Sequence, residues 1–273
     1  MRAHRDGPQI KSGTPRQLEG NAGDRGVVRH YDQYCPVAEA LDLLGERWTL
    51  LILLELLGGA RRYTDLRQAL PGIATNLLAS RLRQLVTHGL AEQVAVPPPV
   101  ARTWYQLTDQ GWRWVPPVLQ ALAVVGMDRL GPATQQITPL SGFLAVLLGF
   151  DGRLVQSAEE DYRMVVDGRS FDTGVRRGQL TAARGEPVAE LRGTARDLLE
   201  HRRALLAGAG NAPASSFHIE GGARVRARFI AIFGLEPQTL PPPRKHHYDS
   251  PASSPARPYS REPPDPPRPP DRY

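Results

Sequence analysis

The sequence predicts an α+β chain with disordered termini, in which a helix-rich domain over residues 31–130 is followed by a small α+β domain over residues 141–236. Three observations carry that prediction. Between residues 36 and 130 apolar side chains recur at helical spacing, interrupted once by two short β-prone segments. From residue 160 the pattern changes to strand alternation closed by Gly-containing turns, then returns to helix. The ends lack the apolar content of a core: residues 1–30 are rich in Gly, Arg, Asp and Gln, and residues 237–273 hold half of the chain's 26 prolines.

The first helix begins at Pro36, where a missing N–H is harmless, and sets Val37, Leu41 and Leu44 on one face until Gly45. A nearly continuous apolar segment from Trp48 to Leu57 reads as a central buried helix, stopped by Gly58-Gly59. Thr64 is expected to cap a short helix through Leu70, and Pro71-Gly72 makes the turn. The next helix, Ala74 to His88, carries Leu78, Leu82 and Leu85 at helical spacing and ends at Gly89. Glu92–Val96 and Thr103–Leu107 form a hairpin around Pro97-Pro98-Pro99. Thr108 starts another helix, but interior prolines cost about 3 kcal/mol, so the long helix proper is expected to start at Pro116-Pro117 and run through Leu119, Leu122, Val125 and Leu130. Helix, helix, helix-turn-helix, hairpin, helix is the order of a winged helix-turn-helix.

In the second domain Tyr162, Met164 and Val166 share one strand face, Asp167-Gly168 turns the chain, Phe171 and Val175 follow, and Arg176-Arg177-Gly178 makes a basic turn. A helix is expected over Thr194–Leu206, a strand over Ser215–Glu220, and a last amphipathic helix with Val225, Phe229, Ile232 and Phe233. Two modest cores follow from this division. The proline-rich tail reads as polyproline II, either inert or a docking segment for a partner.

Cys35 is the single cysteine, so no disulfide forms within the chain, and no apolar run approaches the roughly 18 to 20 residues that span a bilayer. No membrane partner and a cytoplasmic location are expected. The His residues are scattered without ligand spacing, so neither metal nor cofactor is expected. The net charge of +6 invites a polyanion partner, yet residues 31–130 carry nine basic and nine acidic side chains and are neutral. The informative feature is polarity within that domain: Arg61, Arg62, Arg67, Arg81 and Arg83 stand against Asp65 alone, whereas the stretch before Gly58 is acidic.

The motifs Tyr34-Cys35-Pro36-Val37, Leu44-Gly45-Glu46-Arg47-Trp48, Arg62-Tyr63-Thr64-Asp65-Leu66, Leu77 through Leu85 and Tyr105-Gln106-Leu107-Thr108, in this order and spacing, resemble the HxlR-type winged-helix transcriptional regulators. That resemblance implies a homodimer on an inverted-repeat operator in double-stranded DNA, the second helix of the motif in the major groove and the hairpin wing on flanking backbone. In that helix the leucines face the core and leave Thr75, Asn76, Ser80, Arg83 and Thr87 to reach base edges, Asn and Arg being suited to bidentate contacts with adenine and guanine. Arg81 lies toward the leucine side and reads either as a DNA contact or as a salt bridge to the acidic first helix. Arg61, Arg62, Tyr63 and Thr64 before the motif and Arg102 at the wing are candidates for phosphate contacts. Cys35, matching the cysteine of thiol-sensing members, is either a redox sensor or a small core residue. Trp104, Trp112 and Trp114 read as core and dimer packing, with ligand stacking as the alternative.

Residues 141–236 resemble, more weakly, a sterol carrier protein type-2-like domain, through the turn Glu220-Gly221-Gly222 and the terminal segment Phe229–Leu235. This implies an apolar cavity between sheet and helices for a small hydrophobic effector, although the loop Gly208–Ser215 departs from the pattern. A domain kept only for dimerisation is the other reading. The function expected is a sequence-specific DNA-binding regulator, repressor by preference; the alternative is a hydrophobic-ligand binding protein whose winged domain serves protein interaction. No nucleophile–base set, P-loop or dinucleotide fingerprint points to an enzyme.

Overall fold

The computed structural model of the protein describes residues 30–96, 102–131, 137–208 and 217–236. All but the last residue of the expected disordered arm, the prolines of the hairpin tip, nearly all of the loop Gly208–Ser215 and the proline-rich tail lie outside them. Helix α1 (Pro36–Leu44) starts at its proline but buries only Ala38, leaving Val37 and Leu41 exposed. Helix α2 (Thr49–Leu57) is the central helix, with Ile52, Leu53, Leu56 and Leu57 fully enclosed. There follow β1 (Arg61–Arg62), α3 (Tyr63–Ala69), α4 (Thr75–Thr87), β2 (Ala91–Val96), β3 (Arg102–Leu107) and α5 (Asp109–Arg129). The wing sheet has the order β1-β3-β2, all antiparallel. The two-residue strand β1 has no alternation to betray it; it exists because β3 offers a free edge to Arg61 and Arg62.

Two expectations about helix starts are corrected. Thr64 is not the cap of α3, which starts one residue earlier at Tyr63; the Asp65 carboxylate accepts the Arg62 N–H at 3.0 Å and fixes the first turn. Pro116-Pro117 does not begin the long helix, because α5 runs through both prolines from Asp109. The Thr108 hydroxyl accepts the Gly111 N–H at 3.0 Å, and Trp112, Val115, Pro116 and Leu119 enter the core. Burying large apolar side chains at about 1.5–3 kcal/mol each outweighs the interior-proline penalty of about 3 kcal/mol.

Beyond α5 come α6 (Pro139–Leu147), a 3-10 turn at Gly152–Val155, β4 (Glu159–Val166), β5 (Arg169–Arg176), β6 (Gln179–Thr181), β7 (Ala189–Gly193), α7 (Ala195–Leu206), β8 (His218–Glu220) and α8 (Ala223–Ile232). The sheet order is β6-β5-β4-β7-β8, with β4 and β7 parallel and the other pairs antiparallel. At the β4–β5 hairpin Asp167 and Gly168 take φ of 47° and 79°, the paired left-handed geometry of a type I′ turn. Arg177 and Gly178 repeat it before β6. The inner face of the sheet presents Tyr162, Met164, Val166, Phe171 and Val175 to the helices. Phe143 stacks on Phe171 with ring centroids 4.6 Å apart, and Tyr162 meets both Phe229 and Phe233 edge to face. Aromatic rings therefore make up much of the packing between the sheet and the helices.

Arg202 on α7 joins the helices of this half. It is buried, without a carboxylate partner among the described residues. Its guanidinium donates to the carbonyls of Ala145 (2.8 Å) in the last turn of α6 and of Phe233 (2.6 Å) and Gly234 (2.9 Å) after α8. Two helix C-termini thus supply the negative potential that a carboxylate would otherwise give. Gly149 is required beside it, since a Cβ there would lie 2.3 Å from the guanidinium nitrogen.

The two modest cores expected from the sequence are one connected core. Leu140 and Phe171 come up against Gly58 at the end of α2, and Arg169 stacks on Phe171 (4.6 Å) while donating to the Gly58 carbonyl (3.5 Å). The strand–helix half is thereby fixed to the helix that supports the helix-turn-helix. Among the described residues no helix is long and apolar enough to cross a membrane.

Candidate nucleic-acid interface

Helices α3 and α4 are joined by a turn at Leu70–Ala74, in which Gly72 takes φ 94°. Helix α4 buries Leu78, Leu82 and Leu85 against the core and, by the 3.6-residue period, must expose the opposite side. Thr75, Asn76, Arg83 and Thr87 are exposed there, and Ser80 is half-buried between them. No carboxylate of the described residues pairs with Arg83. The Asn76 Oδ1 accepts the Leu77 N–H at 2.9 Å, taking up one of the free donors of the first turn. The Tyr63 hydroxyl donates to the Thr75 carbonyl at 2.7 Å, which ties the start of α4 to the start of α3.

The remaining candidates divide by what they touch. Arg62 lies over the Trp104 ring at 4.6 Å, cross-strand from it in the β1–β3 register, so a wing residue is the platform for an arginine of the helix-turn-helix. Thr64 is exposed in the first turn of α3. Arg61 is turned inward to Glu55 of α2 at 2.6 Å. Arg81 is bound to Glu46, just after α1, at 2.6 Å and to Gln84 at 2.7 Å, so the salt-bridge geometry holds of its two readings. The backbone of Arg102 pairs with Val96 across the wing, and its side chain lies outside the described residues. Cys35 is the half-buried N-cap of α1. Of the tryptophans, Trp112 is buried and Trp114 half-exposed.

The fold therefore brings Thr75, Asn76, Arg83 and Thr87 to the exposed side of α4, leaves Thr64 exposed in the first turn of α3, and directs Arg61 and Arg81 to the protein's own carboxylates. The stacking role of Trp104 was missed because it depends on β1, which the sequence does not signal. Among the described residues no group of His, Cys, Asp or Glu is arranged to hold a metal ion.

The model of the family described as HxlR-like helix-turn-helix matches residues 43–133, the stretch that contains α2 to α5. An uncharacterised HTH-type transcriptional regulator of Synechocystis sp. is 41% identical over 108 residues, which are 40% of this chain and 79% of that protein. The chain belongs to the HxlR-like helix-turn-helix family. The HTH-type regulators YvaP and YodB of Bacillus subtilis are 31% and 35% identical, over 94% and 70% of their own lengths and 37% and 28% of this chain. This HxlR-like chain thus shares the function class of DNA-binding transcription regulation, in a family of regulators rather than enzymes. Each of these matches accounts for 40% of the chain or less, so the kinship concerns the helix-turn-helix part.

Proposed function

We propose that the protein is a homodimeric repressor that binds an inverted-repeat operator in double-stranded DNA and responds to a small hydrophobic effector through the half that follows α5. The observation that carries the DNA reading is the face of α4: Asn76 and Arg83, exposed on a helix locked by three buried leucines, are the side chains able to read adenine and guanine edges. Thr75, Ser80 and Thr87 flank them, and Arg62 and Thr64, with Arg102 from the wing, are assigned to phosphates. Arg61, Arg81 and Tyr63 act here through position, holding β1 and α4 in place.

Dimerisation is supported by apolar surface that the single chain leaves uncovered. Val37 and Leu41 of α1 are exposed, as are Trp114, Leu122 and Val125 along one side of α5, with Val125 at 63%. A twofold partner would bury these stripes and set two α4 helices about one DNA turn apart. Repression is the expected sign, since occupancy of a promoter excludes polymerase without further contacts. A relationship of the second half to sterol carrier proteins belongs to this proposal; the exposed polar face of α4 favours it over the alternative of a lipid carrier.

Selection of binding sites from randomised duplexes by the purified full chain tests the reading. Enrichment of an inverted repeat with half-site centres about 10 base pairs apart is expected. Recovery of unenriched sequence would remove the regulator assignment.

A further inference from the structure

A cleft of about 700 Å³ lies between the helix-turn-helix half and the helices that follow it. One wall is built from Trp48 and Leu51 at the start of α2 and from Leu70-Pro71 at the turn between α3 and α4; the other is built from α6, and the floor is α5. We propose that this cleft is the effector site and that its occupant is an uncharged, largely apolar molecule of one or two rings. The proposal rests on the regulator reading and assigns its effector a place.

Four observations point the same way. The volume falls within the range of about 300–1,000 Å³ usual for small-molecule sites. Among the described residues of the lining Glu55 is the only charged group, and it is already bound by Arg61 at 2.6 Å, so none of them is free to pair with a charged ligand. Thr138 and Ser141 face the cleft with their hydroxyls 3.0 Å apart, and can give one hydrogen bond to a polar end of the occupant. Gly126 sits in the eighteenth place of the 21-residue α5, where glycine is unfavourable, and a Cβ added to it would meet nothing within 4 Å. Among the described residues no atom uses the space left by that missing side chain.

A second copy of the chain is the weaker candidate for occupant. The cleft positions on α5, Ala123, Gly126, Met127 and Leu130, follow at i, i+3, i+4 and i+7, whereas the exposed stripe of Trp114, Leu122 and Val125 is centred more than a quarter turn around the helix and meets the cleft only at its edge, where Leu122 is four residues before Gly126. A route to DNA is present in the wall itself. Trp48 is a non-glycine residue at φ 79°, a conformation that clusters at ligand clamps, and its ring lies against the Gly72 turn that leads into α4. An occupant stacked on Trp48 bears directly on the angle between α3 and α4.

The neutral fluorescent probe N-phenyl-1-naphthylamine tests this with the full chain. Saturable binding of one probe per protomer is expected, weakened about tenfold or more in Gly126→Phe and in the smaller filler Gly126→Leu, both of which point into open space and leave the fold intact. Saturating probe is expected to change the dissociation constant for selected operator DNA by about fivefold or more in the wild type, and not in the variants. Equal probe affinity in wild type and variants, no saturable binding, binding without effect on operator affinity, or an altered monomer–dimer equilibrium in the variants would each overturn the proposal. Operator binding measured without probe reports separately on the regulator reading, so the two fail distinguishably.

Discussion

An arginine taken out of water needs negative potential around it, and Arg202 draws that potential from carbonyls rather than from a carboxylate. Burial pushes its guanidinium down to about 10, still charged at neutral pH. Arg202→Ala would leave the last carbonyls of two helices without donors, and a loss of about 3 kcal/mol in urea unfolding is expected. Its neighbour His201 is buried, donates from Nε2 to the Leu235 carbonyl at 2.7 Å, and has no partner for Nδ1 among the described residues. Desolvation, helped by the charge of Arg202 and opposed by the Leu235 bond, holds its pKa below the usual histidine value. The folded state then takes up its proton later than the unfolded chain does. Stability from this group is complete above about pH 6.5 and is lost as pH falls below it toward the depressed folded value. Thermal midpoints measured between pH 8 and pH 5 should fall on the acid side, with a smaller fall in His201→Gln. On α4 the two arginines should separate cleanly. Arg83→Ala and Asn76→Ala are each expected to weaken operator binding by about 1–3 kcal/mol and leave stability unchanged. Arg81→Ala, which removes the bonds to Glu46 and Gln84, should lower the unfolding free energy by about 1–3 kcal/mol. Equal losses for Arg83→Ala on operator and random DNA would reduce it to a phosphate contact. These residue roles were only half legible in the sequence: the leucine spacing assigns the faces of α4 and offers Arg81 a salt bridge as one of two readings, but the choice between them rests on Glu46, and the inward turn of Arg61 on Glu55, each arriving from another element.

At the scale of elements, amphipathic period and turn chemistry found α2, α4 and the β4–β5 hairpin, because Leu78, Leu82 and Leu85 and the pair Asp167-Gly168 state their geometry locally. What local pattern could not show was stability supplied from outside. Helix α5 survives two prolines because its flanking residues are buried, β1 exists through its neighbour β3, and β7 (Ala189–Gly193) has almost no β-branched character and is held between β4 and β8. The same logic gives a prediction for α5. Pro117 is exposed, so Pro117→Ala restores a backbone bond without opening the core; a gain of about 1–3 kcal/mol in unfolding free energy is expected. A loss of stability would show that the proline geometry, rather than burial around it, holds this helix in its path.

The whole molecule couples a DNA-reading half to a strand–helix half through one continuous core, with Gly58, Leu140, Phe171 and Arg169 at the junction. Its joining was not legible, since each half reads alone as a domain with a core of its own. The uncovered stripes on α1 and α5 lead to the assembly prediction: Val125→Asp should shift the protein from dimer to monomer in sedimentation, and lower operator affinity with it, because one α4 helix then faces one half-site. A monomeric wild type would contradict the dimer. The central claim is that the exposed face of α4 reads sequence. Titration of the purified protein with the DNA upstream of its own coding region, and with a scrambled duplex, at two salt concentrations tests it most directly. Binding to the upstream DNA about a thousandfold tighter than to the scrambled duplex, falling steeply as salt rises, is the predicted result. Equal, weak binding to both at either salt concentration would contradict it.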